Sequence, residues 1–410
     1  MIALLGVVFL FAVAVLASTD RRNIRPRIVL SAFAIQVAIA VFALYVPFGK
    51  TVLASLATGV GGIVTYADQG IAFLFGPLGN DSLGFIFAFR VLPVIVFVSA
   101  LISVLYHLRI MPVIVAVIGG GLKRITGARE IESLSAAANI FVGMIEAPLV
   151  VRPYLATLSR SELFSVMAVG LSSVSGAILL GYAAIGIDLE YLLPAAFMAA
   201  PGGLLMAKLL MPESPEDASS PTPVVDIAAI NAETRATNVI EAAGNGAMSG
   251  LAIAVGVGAM LLAFIALLAL LNDIFAGLGN LVGISGLSLE YVLGLLLAPV
   301  MYLMGIPWSE AAIAGNLLGQ KTILNEFIAY AQLAKIDETL SPHSVAVITF
   351  ALCGFANFQA LAIIFGGLGA MIPERKKELA QMGMRAVLAG TLSNLMSAAL
   401  ASILLSLAAA

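Results

Sequence analysis

Charge is scarce in this chain. Only 10% of its 410 residues are Asp, Glu, Lys or Arg, against about 25% in soluble domains, which excludes an ordinary water-soluble globule. Cysteine is scarcer still: Cys353 stands alone, so there is no intramolecular disulfide framework. Two histidines and that cysteine give no ligand spacing for zinc. The G-x-G-x-x-G, P-loop, H-E-x-x-H and nucleophile-elbow patterns are missing, so nothing argues for an enzyme. Apolar residues dominate instead, at 61% of the chain with a mean hydropathy of +1.09. Several runs exceed the roughly 20 residues needed to cross about 30 Å of hydrocarbon. This composition predicts an integral, polytopic, all-α membrane protein.

Eight spans are expected, near residues 2–18, 28–48, 91–118, 163–186, 190–210, 249–271, 344–370 and 385–407. The first lacks a basic leader and reads as a retained span rather than a signal peptide. Arg21, Arg22, Arg25 and Arg27 follow it, Lys123, Arg124 and Arg129 follow the third, and Arg375, Lys376, Lys377 and Arg385 flank the last loop. The alternate loops hold only Lys50, Arg90 and Lys335. By the positive-inside rule the basic loops are cytoplasmic and both termini face outward. Residues 50–80 and 281–304 are glycine-rich and fit horizontal or interfacial helices. The tract "MPESPEDASSPTPVV" (211–225) reads as a cytoplasmic linker. An interfacial amphipathic helix over 227–246, with Glu233, Arg235 and Glu241, follows it.

Residues 129–162 begin and end with charge, residues 307–338 carry charge near both ends, and each holds a glutamate, Glu146 or Glu326, inside apolar sequence. Each is too short for two crossings and reads as a re-entrant hairpin, tolerated only where broken backbone is buried or lines a wet cavity. Each is followed by a glycine-interrupted span, "GLSSVSGAILLGYAAIG" (170–186) or "CGFANFQALAIIFGGLG" (353–369). Hairpin plus broken helix, twice and from opposite sides, is an inverted repeat. Such repeats typify secondary transporters, with the substrate at the midplane between the halves.

A carboxylate at membrane depth is costly unless paired, protonated or hydrated. Glu146 and Glu326 therefore either fix a hairpin through a salt bridge to Lys321 or Arg152, or accept hydrogen bonds from a hydroxylated solute, or carry a proton. Asn139, Ser172, Ser173, Asn316, Gln320, Asn325 and Asn357 cluster at the hairpin tips and breaks. They suit helix–helix hydrogen bonding or, with freed carbonyls, a hard cation such as Na⁺. Lys321 can neutralise a hairpin acid, snorkel or touch solute. His107 and His343 read as interfacial, Cys353 as packing and Trp308 as a hairpin start. Phe355 and Phe358 can stack on a planar ligand or pack against lipid.

At these residues the sequence resembles the concentrative nucleoside transporter family. Its G-x-K-x-x-x-N-E-F signature with a following aromatic stands complete as Gly319, Lys321, Asn325, Glu326, Phe327 and Tyr330. "FAFRVLP" (87–93), "ALISVLY" (100–106), "NVIEAA" (238–243), "PWSEA" (307–311) and "CGFAN" (353–357) extend the likeness over most of the chain from about residue 85. The resemblance implies a homotrimer with one pathway per protomer and a transport unit that moves against a scaffold like an elevator. It places Glu326 and Asn357 on the ribose, with Gln359 and Ala360 at that end, and Asn325 and Phe355 among the solute-binding residues. It places Met144, Ile145 and Glu146 at the nucleobase, and a Na⁺ site at Asn139, Val142, Ser173 and Val174. Two departures stand out: the family's Q-[TS] pair is Met144-Ile145, and its S-S pair is Gln359-Ala360.

The implied organisation has scaffold helices over 1–128 and a first transport repeat over 129–210. A cytoplasmic linker and amphipathic helix over 211–247 follow, then scaffold again over 248–306 and the second repeat over 307–410. The expected function is import of a nucleoside across a bacterial inner membrane. Na⁺ is expected as coupling ion in preference to H⁺, with no other cofactor, membrane lipid as surroundings and no nucleic-acid partner. A paralogue carrying a modified nucleoside, a free base or an analogue is the alternative. A channel would not accumulate solute, and a membrane hydrolase using Glu146 and Glu326 would alter it.

Overall fold

The computed structural model describes residues 2–79, 85–215, 236–281, 283 and 287–409, and among these every regular element is a helix. The first part of the chain forms α1 (Ile2–Leu16), α2 (Pro26–Leu44) and α3 (Pro47–Phe75). Both α2 and α3 start on proline, whose missing N–H costs nothing in a first turn. Most of the 50–80 stretch expected as horizontal or interfacial helix lies in α3, one unbroken 29-residue helix that is by length and composition also able to cross a membrane. Next come α4 (Phe87–Arg90), α5 (Leu92–His107) and α6 (Ile110–Thr126). This corrects the single span expected over 91–118. Arg109 takes a left-handed conformation, φ 63°, and an L-residue there cannot continue a right-handed helix.

The first hairpin region is α7 (Glu130–Ala138), an irregular tip, and the four-residue α8 (Glu146–Leu149). Then α9 (Arg160–Ser172) and α10 (Gly176–Ala184) form the expected broken span, and α11 (Leu189–Leu210) follows. Ser159 and Glu162 make a reciprocal capping box at the start of α9, satisfying two otherwise orphaned amides. In the second half α12 (Val239–Leu281) runs unbroken for 43 residues. It absorbs both the expected span over 249–271 and the described end of the amphipathic helix over 227–246. The rest of that helix, and most of the 211–225 linker, lies outside the described residues.

After α13 (Leu289–Leu303) the chain bends by 116° into α14 (Trp308–Ile323). α15 (Glu326–Ile336) follows after a break at Leu324-Asn325. The second broken span is α16 (Pro342–Leu352) and α17 (Phe358–Met371), and α18 (Lys376–Ala409) closes the chain. Among the described residues seven helices are long and apolar enough to span, or eight if α13–α14 counts as one.

Burial separates centre from rim. The α9–α10 span and α11 have windows 94% and 89% buried, whereas those of α3 and α12 are 11% and 6% buried. α12 nevertheless packs closely on α5. A Cβ on Gly246 would lie 2.5 Å from the Ser103 Cβ, and one on Gly250 2.7 Å from the Ser99 Cβ. Ser103 Oγ donates to the Ala242 carbonyl at 2.7 Å. Small residues let two apolar helices approach where burial from water supplies no driving force between them. A buried ion pair, Lys208 with Glu132, ties α11 to α7. Arg129 bridges Glu162 and Glu213 at the edge of the same group.

Candidate functional site

The two helix breaks meet. At the first, Ser175 Oγ accepts from Ile178 N and caps α10. At the second, Asn357 Oδ1 accepts from Ala360 N at 2.7 Å and caps α17. Phe355 N of the second break donates to Ser173 O of the first at 3.1 Å. Asn394, on α18, joins them again: its Nδ2 donates to Ser172 O at 2.7 Å and Cys353 O at 2.8 Å. Its Oδ1 accepts from Lys321 Nζ at 2.7 Å, and Lys321 also donates to Ala351 O at 2.8 Å. Lys321 is fully buried and makes no ion pair among the described residues. Its direct partners are the Ala351 carbonyl and the Asn394 amide oxygen, and a hairpin acid is not among them. Asn394 was not singled out from sequence, because an asparagine inside a long helix carries no local signal.

The second tip is built on Asn325, whose Oδ1 accepts from Ile328 N at 2.9 Å and caps α15. Its Nδ2 donates to Gln359 Oε1 at 3.1 Å. Capping places Glu326 in the first turn of α15, where a helix N-terminus favours negative charge. Glu326 Oε1 accepts from Tyr182 OH at 2.9 Å, and Oε2 from Asn357 Nδ2 at 2.9 Å. Tyr182 is held by Phe327 and Tyr330, with ring centroids at 5.1 and 4.5 Å. Neither Glu326 nor Glu146 has a cation within ion-pair distance among the described residues. At the first tip the Glu146 carboxylate folds over Gly143, leaving no room for a Cβ there. The tip lies along the first break, with Gly176 N donating to Phe141 O at 3.0 Å.

These parts line an open-sided cavity of about 720 Å³. Met144, Ile145 and Glu146 line it from the first tip, Asn325 and Glu326 from the second, and Phe355, Asn357, Gln359 and Ala360 from the second break. All nine residues assigned to the solute from sequence therefore face one space. Phe358 does not line it and is exposed. The opposite wall comes from α5 and α12, including Tyr106, Asn245, Ser249 and Met260. None of these four was singled out from sequence, nor was Tyr182. Gln359 bonds Met260 through Nε2 across the cavity.

Of the four residues assigned to a cation, Val142 reaches the cavity wall, while Asn139, Ser173 and Val174 are buried outside it. Asn139 Nδ2 donates to Ser135 O at 2.9 Å, but its Oδ1 has no partner. Ser173 Oγ donates to Val169 O at 3.1 Å, leaving its lone pairs for another group. A buried carbonyl-type oxygen without a donor, and a hydroxyl with free lone pairs, are donor types that suit a hard cation. No cluster of His, Cys, Asp and Glu suited to a transition metal occurs among the described residues.

Comparison with known proteins is consistent over the whole length. The family described as "Na+ dependent nucleoside transporter" matches at residues 5–78 by its N-terminal part and 191–402 by its C-terminal part. A "Nucleoside recognition" family matches residues 88–188. The chain is 46% identical to the nucleoside permease NupC of Helicobacter pylori, over 99% of this chain and 98% of that protein. Among solved structures, CNTnw in an inward-facing substrate-bound state superposes with a TM-score of 0.94 at 48% identity, covering 100% of this chain and 98% of that one. A CNTnw variant in an outward-facing state gives 0.93 at 47% identity, covering 99% and 98%.

Proposed function

This chain belongs to the family of Na+ dependent, concentrative nucleoside transporters, and on that footing we propose that it imports nucleosides by alternating access, driven by Na⁺ in preference to H⁺. The observation that carries the reading is the cavity. Polar groups able to grip a sugar diol converge on it from the second tip and second break, and the first tip adds Met144, Ile145 and the Glu146 carboxylate. Glu326 with Asn357 takes the ribose hydroxyls, with Asn325 and Gln359 beside them. Met144, Ile145 and Glu146 enclose the base. Asn139 and Ser173 side chains, with backbone oxygens at Val142 and Val174, hold the Na⁺.

The two tips and two broken helices travel together, since Phe355–Ser173 and Asn394 join them. The sparsely buried α3 and α12, with α5, belong to a scaffold that assembles as a homotrimer in lipid. The tips enter the membrane re-entrantly, in a bacterial inner membrane with both termini outside. The direct test is uptake of a labelled nucleoside panel by proteoliposomes, with Na⁺ and pH gradients imposed separately. Unaltered solute accumulated above its outside concentration under a Na⁺ gradient supports the reading. Equilibration without accumulation means a channel, and altered product means an enzyme.

Removing one neutral cation ligand is worth about 1 kcal/mol, or roughly fivefold in affinity. Ser173→Ala is accordingly expected to raise the Na⁺ concentration for half-maximal uptake about fivefold. Solute affinity at saturating Na⁺ should change little. Uptake that ignores Na⁺ and follows a pH gradient would move the coupling role to the glutamates.

Met144-Ile145 favours a second reading, in which the solute is a modified nucleoside, a free base or an analogue. A thioether and a branched alkyl group enclose a base without telling donor from acceptor edges, and apolar pockets separate close analogues by only about 1–3 kcal/mol. Met144→Gln combined with Ile145→Thr should shift the competition profile towards uridine. Superimposable profiles for uridine, cytidine, adenosine, inosine and pseudouridine would mean that these two side chains do not face the base.

A further inference from the structure

The polar groups at the sugar end of the cavity are already matched: Glu326 with Tyr182 and Asn357, and Asn325 with Gln359. Among the described residues, one cavity-lining side chain carries a buried polar atom with no hydrogen-bond partner, the hydroxyl of Tyr106. Buried polar atoms are nearly always bonded, so an orphan hydroxyl on a cavity-lining side chain points to a partner supplied from outside the protein.

The position of Tyr106 along α5 says which end of the solute it meets. Ile95 of α5 lies beside Gly181, which also touches the Phe327 ring of the second tip. Two turns on, Ile102 lies 3.6 Å from where a Cβ on Gly176 would stand, at the first break beside Phe141. Tyr106 is four residues further along the same helical face. It therefore stands at the end of the cavity formed by Met144, Ile145 and Glu146, where the tip offers two apolar side chains and a carboxylate turned over Gly143.

We infer that Tyr106 reads the nucleobase edge, supplying from the α5 wall the hydrogen bond that Met144-Ile145 cannot supply from the tip. This rests on the nucleoside reading given above. A phenol donates a proton more readily than it accepts one, because its lone pairs are delocalised into the ring. Tyr106 therefore favours bases that present a carbonyl at the read edge over bases that present an amino group there. The contact spans α5 and the solute, so it exists only while the transport unit holds the solute opposite α5.

The test compares inhibition constants for uridine and inosine with those for cytidine and adenosine, in proteoliposomes of wild type and Tyr106→Phe. 2′-Deoxyuridine and 3′-deoxyuridine report separately on the sugar end. The expected result is a wild-type preference for the carbonyl-bearing pair that falls about five- to tenfold in Tyr106→Phe. The ratios between uridine and its deoxy forms should stay unchanged. An unchanged carbonyl-to-amino ratio overturns the inference, as does an equal loss for every base, which a packing role would give. A wild-type protein that takes up no nucleoside at all overturns the functional reading, and this inference falls with it.

Discussion

Glu326→Gln reduces nucleoside uptake by about two orders of magnitude and leaves the protein folded: that is the expected result of replacing one oxygen of the carboxylate by an amide nitrogen. Both oxygens of Glu326 accept in the resting site, one from Tyr182 OH and the other from Asn357 Nδ2. Glutamine keeps the shape but turns one of those positions into a donor. With the amide oxygen towards Asn357, the NH2 meets Tyr182 OH, which must accept and turn its own proton away from the site. The other way round, two amide NH2 groups face each other. In both cases the charge that strengthens hydrogen bonds to sugar hydroxyls is gone. Hydrogen bonds to charged groups are worth about 1.5–3 kcal/mol each, and a mismatched buried donor adds its own penalty. The measurements are initial uptake rates in proteoliposomes, with elution on size exclusion and thermal unfolding as controls. Wild-type kinetics in the variant would remove Glu326 from the site. Loss of the folded protein would make it a structural residue instead.

Asn394→Leu should act in the opposite sense, on folding before transport. Its amide serves three buried partners: Ser172 O, Cys353 O and Lys321 Nζ. Leucine leaves two carbonyls and an ammonium short of a partner each, at about 1–3 kcal/mol apiece and more for the charge. The sum, roughly 3–9 kcal/mol, is comparable to the whole stability of many proteins. Little monodisperse protein should be recovered, with a strongly lowered melting temperature for what remains. Adding Lys321→Met should recover part of the loss, because a buried charge with no partner costs more than an apolar replacement. The double variant is then more stable than the sum of the singles implies. Additive losses would mean that the two side chains do not depend on one another.

How legible all this was in the sequence follows from how far each cause lies along the chain. Asn325 and Asn357 mark helix starts by bonding amides three residues ahead, so the breaks were visible in the strings "NEF" and "FANF". Glycine and serine in mid-span marked the first break in the same way. The convergence of the nine solute residues on one cavity was expected from the resemblance rather than from any pattern of spacing. Other features depend on partners far away. Tyr182 meets Glu326 across 144 residues and Asn394 meets Lys321 across 73, and no local pattern announces either pairing. The break at Arg109 was missed because the flanking segments are apolar throughout. A left-handed arginine leaves no signature in hydropathy. Over 50–80, expected as horizontal or interfacial helix, the chain is helical through Pro47–Phe75, and its glycines do not break it. Glycine lowers helix propensity by only about 1 kcal/mol per residue, which length and packing override.

The hydrogen bond from Asn394 to Ser172 joins residues 222 positions apart. A chain emerging from the ribosome exposes the first broken helix long before the side chain that completes it has been made. Through most of synthesis the opened carbonyl at Ser172 must be met by water, lipid headgroups or a helper protein, and the nascent first half cannot settle into its final form. The first broken helix is therefore completed only when α18 has been made and docked. A chain truncated before α18 would stall in the bilayer as a target for membrane quality control, however intact its earlier segments.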